Sequence, residues 1–380
     1  MQIVAKTNSK RLLFLDVAKF ISIVLVVYCH SREHGFEINL FHAFHLPLFF
    51  IINGMTFRIH EGESTGDFLV RKIKTYIIPF IILALMVCTC ETAFQLHEGG
   101  GALTWQLVVD KLVDIYQSSR PYPLWFVLAL FFSDIWLYLF IKWSFKKDWL
   151  VFIYSVIFIT LIITYYKYTP HWLSHSFDPS FAGVFFVTLG WLFYRNWNEK
   201  PRNWILNSKL KSLIIGLVLL AGCFGFVYLH YITTQPQYKE SFFDMWGNNY
   251  QPFYLRLPAA ILGGFGVIFL SNAIVNKPMA YMGKHTLVIL AFQQNLTIHL
   301  FKKYIAKGWY QSLAPLQWGH WDAIGFTLVC TLFSLAVLIP LSILLTETHC
   351  AYAFYKKPAQ WYRNLLAKIK SLFTKKKEAQ

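Results

Sequence analysis

Apolar runs recur along this chain at lengths near the roughly 20 residues needed to cross the hydrocarbon of a bilayer. Ten stand out, at 12–31, 43–58, 73–92, 122–141, 149–166, 181–195, 211–231, 257–274, 285–301 and 322–346. The second is short and the sixth is interrupted by glycine. The runs are continuous and lack the strict alternation of a membrane β-barrel strand. They predict an all-α integral membrane protein, a bundle of about ten transmembrane helices. No linker divides residues 1–351, which read as one transmembrane domain, and no internal repeat is evident.

The polar segments between the runs carry further predictions. In the loop 93–121, "LTWQLVVDKLVDIYQ" reads as an amphipathic surface helix. The loop 232–256 mixes Trp, Tyr and Phe with Asp, Asn and Gln. That mixture suits a sugar, whose C–H face stacks on an aromatic ring while its hydroxyls hydrogen-bond; it equally suits an interfacial aromatic belt. Residues 352–380 form a basic tail. There "WYRNLLAKIKSLFTKKK" sets Trp361, Leu365, Ile369 and Leu372 on one helical face and Lys on the other, the pattern of a helix lying on an anionic cytoplasmic leaflet.

Composition sharpens the class. Of 380 residues, 56% are hydrophobic and only 14% charged, with a mean hydropathy of +0.44. The net charge of +16 is distributed as a topology signal and does not point to nucleic acid. Most of the 35 Lys and Arg fall in the loops that share a side with the N-terminus, so the positive-inside rule predicts both termini cytoplasmic. The expected location is the bacterial inner membrane, crossed many times, with lipids as immediate partners. Asp16 and Lys19 interrupt the first run and no small-residue cleavage site comes after it, so it does not read as a cleavable signal peptide. The six cysteines (Cys29, Cys88, Cys90, Cys223, Cys330, Cys350) lie mostly in or beside apolar runs with no ligand spacing, and no metal is expected.

The chemistry begins in "RLLFLDVAKFISIVLVVYCHSREHG", residues 11–35. An ionisable group in hydrocarbon needs a partner, a wet cavity or a job. Asp16 and Lys19 have i, i+3 spacing and can pair. Lys19 and His30 are eleven residues apart, about 1100° of helix and within roughly 20° of three full turns, with about 16 Å of rise between them. The three therefore share one stripe, which reads as the lining of a route ending in a titratable imidazole. Singly, each has a bland reading: Asp16 neutralising Lys19, Lys19 snorkelling to headgroups, His30 sitting at an interface.

A basic residue followed eleven positions later by His in the first span resembles membrane-bound acyltransferase family 3, the O-acyltransferases of bacterial polysaccharides. Further segments agree in order: "FHAFHLPLFFIINGMTF" (41–57), "VRKIKTYIIPF" (70–80), "PLWFVLALF" (123–131) and "YMGKHTLVILAFQ" (281–293). The ordered segments also resemble sugar O-acetyltransferases of the fucose 4-O-acetyltransferase type. Three positions depart from the family pattern: Lys19 stands where Arg is frequent, Asn53 where Ser is common, and Gln293 where His is common.

The resemblance implies transfer of an acyl group, usually acetyl, from cytoplasmic acetyl-CoA to a hydroxyl of a cell-surface or lipid-linked glycan, alongside glycan-assembly proteins. It implies His30 as general base, since imidazole titrates near neutral pH. Lys19 would hold the donor or polarise its path, with Asp16 keeping it oriented. The inner loop between the second and third spans offers Arg58, Arg71, Lys72 and Lys74 to the donor's phosphates, though each also serves topology. His45, Asn53, Trp125 and Gln293 are the candidates for substrate contact, with an aromatic-belt role open to Trp125. His42 and His45 are spaced i, i+3, so a metal is conceivable, but no third ligand is near. Pro47 is expected to end or bend the second helix. A polysaccharide exporter or flippase of the same fold, without acyl-CoA turnover, is the alternative; an ion-coupled transporter would more often show inverted repeats.

Overall fold

The computed structural model describes residues 12–32, 35–99, 104–117, 123–169, 173–195, 199–234, 243–313 and 321–347. The basic tail and its predicted surface helix lie outside the described residues. Apolar runs with no water to satisfy their backbone must hydrogen-bond internally, and helices do so residue by residue. The order is α1 (Leu13–Ser31), α2 (Phe36–His42), α3 (His45–Thr56), α4 (Thr65–Lys72), α5 (Ile78–Gly99), α6 (Trp105–Gln117), α7 (Trp125–Trp143), α8 (Asp148–Tyr168) and α9 (Pro179–Arg195). It continues with α10 (Glu199–Leu206), α11 (Lys209–Thr233), α12 (Phe253–Ala273), α13 (Lys277–Met282), α14 (Thr286–Phe292), α15 (Lys307–Leu313) and α16 (Trp321–Glu347).

Nine helices among the described residues are long and apolar enough to cross a membrane. The expected ninth span, 285–301, is the one not among them: it is also helical, but α14 runs on through two wide π-type turns, Gln293–Ile298 and Phe301–Ile305. The second span, expected at 43–58, starts earlier: α2 precedes a break at Ala43–Phe44 and α3 follows it. Pro47 sits in the first turn of α3, where a missing N–H costs nothing, so the break precedes it. The third span is longer than expected: α4 and α5 join through another wide turn, Ile73–Ile77, into one 35-residue helix. Ser64 caps its start, accepting the Asp67 N–H at 3.1 Å.

α1 packs against α3, α12, α13, α14 and α16, and its middle is lined by buried Ile23, Val26 and Val27. α8, α11 and α16 leave Leu161, Val218 and Leu332 exposed, as lipid-facing side chains do. Backbone contact fixes two crossings. Where α3 meets α9, a Cβ on Gly190 would lie 1.9 Å from the Ile51 carbonyl oxygen, and one on Gly54 1.9 Å from that of Val187. Where α13 ends on α1, a Cβ on Gly283 would lie 1.9 Å from the Asp16 carbonyl oxygen. Small residues let membrane helices approach this closely. Gly190→Ala must therefore push α9 off α3. The expected cost is about 1–3 kcal/mol, read as a lower thermal unfolding midpoint in detergent.

Candidate active site

Polar groups collect at both ends of α1. Toward its C-terminus, His30 is half-buried, and its Nδ1 lies 2.5 Å from Nε2 of Gln293, which is fully buried on the first wide turn of the α14 rod. Oε1 of the same amide has no hydrogen-bond partner. As placed, the Gln293 amide donates to Nδ1, which accepts when the imidazole proton is on Nε2. With the amide turned by half a revolution, its Oε1 accepts Nδ1–H instead, and the lone pair of His30 is then on Nε2. The other helix ends meet here. His45 is buried and donates from Nδ1 to the Phe41 carbonyl at 2.8 Å, while its own carbonyl accepts Ser22 Oγ at 2.6 Å, pinning α3 to α1. The His42 ring stands edge-on to His45, centroids 4.7 Å apart. Both are within electrostatic range of His30.

The wide turns are placed by polar contacts to α5. Asn295 donates to Glu91, and Glu98 accepts from His299 at 3.0 Å and Tyr304 at 2.9 Å and pairs with Lys303. Helices widened by an extra residue are often found at functional sites, because the widening re-aims side chains.

Toward the N-terminus of α1, Lys19 Nζ lies 3.5 Å from Oδ1 of buried Asp16. Lys19 opens onto a cavity of about 250 Å³ whose wall includes Asn53, Thr56, Tyr76, Lys284, Leu287 and Leu290. His30 is not part of that wall. The stripe expected along α1 is thus no open channel: Ile23, Val26 and Val27 are buried between its ends. The α14 rod links the two, since Leu287 and Leu290 face the cavity and Gln293, one turn on, holds His30.

Behind the cavity lies a carboxylate that reading the sequence alone misses. Asp134 is fully buried in α7. Its Oδ1 accepts Asn53 Nδ2 at 2.7 Å, and its Oδ2 accepts Lys72 Nζ at 2.5 Å. Tyr76 Oη shares its proton between Asp134 Oδ2 at 2.9 Å and Asn53 Oδ1 at 3.0 Å. The Lys72 ammonium also sits over the rings of Phe57, Phe68 and Tyr76. The cue is in the chain: "FFSDIWLYLF" carries one charge in an apolar run, the signal that singles out Asp16.

Two of the cations expected at the donor's phosphates are paired within the fold. Lys72 is turned inward, because a buried ammonium is tolerable only with a paired charge, and Asp134 supplies it. Arg71 is occupied too: its Nε and Nη2 lie 2.7 and 2.8 Å from the two Glu63 oxygens, and Nη2 donates to the Arg58 carbonyl at 3.0 Å. The Arg71 guanidinium holds the Glu63 carboxyl below its ordinary 4.5, so the pair persists at neutral pH and is lost only as pH falls through that lowered value. Arg58 and Lys74 are exposed, and none of the four lines the cavity. Asn53 does. Trp125 is buried at the start of α7, edge-on to Phe126, and presents no open face for stacking. Among the described residues no three His, Cys, Asp or Glu side chains are arranged to hold a metal ion.

With this geometry in view, the comparisons with known proteins are specific. A family model described as an acyltransferase domain, that of acyltransferase family 3, matches residues 12–343. No curated protein and no solved structure matches the chain.

Proposed function

The chain belongs to acyltransferase family 3, and on that premise we propose that this membrane acyltransferase moves an acyl group, acetyl in the simplest case, from acyl-CoA to a hydroxyl of a cell-surface or lipid-linked glycan. The observation that carries the reading is His30 held through Nδ1 by a buried amide inside a membrane bundle; in the tautomer that gives Nδ1–H to the amide oxygen, Nε2 is the base. Nε2 takes the proton of the sugar hydroxyl as its oxygen attacks the thioester carbonyl carbon. The C–O bond forms, the C–S bond breaks, and the departing thiolate receives the proton from the imidazolium. Gln293 does for His30 what a third group does in a hydrolytic triad, holding the ring plane, although a neutral amide stabilises the imidazolium less than a carboxylate would.

The donor's approach is set by charge. The positive-inside distribution supports a Lys19 cavity on the cytoplasmic side of a bacterial inner membrane, where acyl-CoA is found, with both chain termini on that side. To reach His30, about 16 Å farther along α1, the acyl end has to pass the packed layer of Ile23, Val26 and Val27, beside which the Leu287–Leu290–Gln293 face of the α14 rod runs. The glycan meets it from the outer side. Membrane lipids and glycan-assembly proteins complete the expected surroundings. The test is purified protein in lipid vesicles, labelled acetyl-CoA inside, and mass spectrometry of surface glycans from cells with and without the gene. A glycan that keeps its acyl groups without the gene, with no label transferred in vesicles, removes the enzyme reading and leaves the exporter.

Gln293→Ala is expected to lower kcat about ten- to a hundredfold, the worth of one hydrogen bond to a group that becomes charged in the transition state. The acyl-CoA concentration for half-maximal rate should stay near that of the parent protein, because Gln293 lies beyond the cavity. Initial rates across a donor titration separate the two quantities.

A further inference from the structure

The cavity holds two ammonium groups, and only one of them has a carboxylate at hand. Lys19 sits 3.5 Å from Asp16, so that pair adds no net charge. Lys284 is exposed on the same wall, and among the described residues no carboxylate pairs with it. The net positive charge of the cavity therefore comes from Lys284. Its position is fixed from both sides. The preceding Gly283 has its backbone against the Asp16 carbonyl, which brings the turn beside Lys19. On the other side His285 is buried, 2.9 Å from Thr346 Oγ1, and Tyr281, whose ring lies 5.5 Å below the Lys284 ammonium, donates to Glu347 at 2.8 Å. A cation on a rigid turn, at the mouth of a cavity walled deeper in by leucines, suits a ligand with an anionic head and a long weakly polar arm.

We propose that Lys284 holds a phosphate of the acyl donor's nucleotide end, so that the donor binds head-out with its thioester arm directed past Lys19. The inference rests on the acyl-CoA reading above and goes beyond it in assigning the phosphate to the turn between α13 and α14, in place of the inner-loop cations already occupied by Glu63 and Asp134. It predicts discrimination between donors: acetyl-CoA should bind more tightly than acetyl-pantetheine, which has the same arm and no phosphate.

The experiment is calorimetric binding of both compounds to purified full-length protein in uncharged detergent, for the parent chain, Lys284→Gln and Lys284→Arg. Lys284→Gln should weaken acetyl-CoA about tenfold, the scale of one lost charge-assisted contact at a partly exposed site, and flatten its salt dependence. It should leave acetyl-pantetheine unchanged, and Lys284→Arg should keep most of the affinity. Equal affinity of the parent and Lys284→Gln for acetyl-CoA, or equal weakening of both compounds, overturns the assignment. Competition of acetyl-CoA by added phosphatidylglycerol in the parent, lost in Lys284→Gln, reassigns Lys284 to a lipid phosphate and also overturns it. A parent protein that binds neither compound overturns the acyl-CoA reading itself, a result distinct from the first two.

Discussion

Replacing His30 by alanine is expected to abolish measurable acyl transfer while the protein still accumulates in the membrane. General-base catalysis contributes about 10²–10⁴ in rate, and no other described imidazole is held in the same way. His45 spends its Nδ1–H on the Phe41 carbonyl as a helix-break contact, and His42 packs against it, so neither can swing into the place of His30 without undoing the α2–α3 junction. The loss should fall on kcat. Acyl-CoA affinity should hold, because His30 does not line the cavity. Folding should survive at a modest cost, about 1–3 kcal/mol for leaving the buried Gln293 amide without its partner. Added imidazole should restore part of the rate if the missing group is a base, since a free imidazole can occupy the vacated volume. Near-normal glycan acylation in cells expressing His30→Ala takes the residue out of the mechanism.

The same contact shows why some of this site was legible in the chain and some was not. Asp16 and Lys19 pair through helix geometry over three residues, which is local and readable from spacing. The apolar spans are local in the same sense, and the predicted all-α membrane bundle rests on them. His30 and Gln293 are 263 residues apart, and nothing in either neighbourhood states that they meet. Read from the chain alone, Gln293 is a substrate contact; the fold gives it to His30. The wide turns escaped for a related reason. An extra residue in a helical turn leaves the hydrophobic period almost unchanged but rotates the rest of the helix, and tertiary contacts such as Asn295 with Glu91 select it.

The inner-loop cations are sorted by contacts the chain does not announce. Arg58, Arg71, Lys72 and Lys74 look equivalent in sequence, a basic cluster beside a span. Their sorting depends on where carboxylates lie: Glu63 eight residues from Arg71, and Asp134 sixty-two residues from Lys72. A basic cluster shows which side a loop occupies more reliably than which of its members faces a ligand.

That sorting sets the largest stability effect expected in the molecule. Asp134→Asn leaves the Lys72 ammonium buried against a neutral amide, and Lys72→Met leaves the Asp134 carboxylate buried with two neutral donors. Breaking a buried pair from one side costs about 3–5 kcal/mol, because the surviving charge is uncompensated. Either single variant should unfold in detergent at a markedly lower temperature or denaturant concentration. The double variant Lys72→Met/Asp134→Asn removes both charges together. The amide that replaces the carboxylate can still accept from Asn53 and donate to Tyr76. The thioether that replaces the ammonium fills the ring cage of Phe57, Phe68 and Tyr76 and packs well against aromatics. Most of the lost stability should therefore return, a coupling that additive single effects would not give. Acyl-CoA affinity in the double variant decides whether Lys72 has any second role. Affinity near that of the parent means the pair serves only to hold α3, α4 and α7 behind the cavity. A stable double variant that no longer binds acyl-CoA would make Lys72 a donor contact after all, reached by an opening of the Asp134 pair.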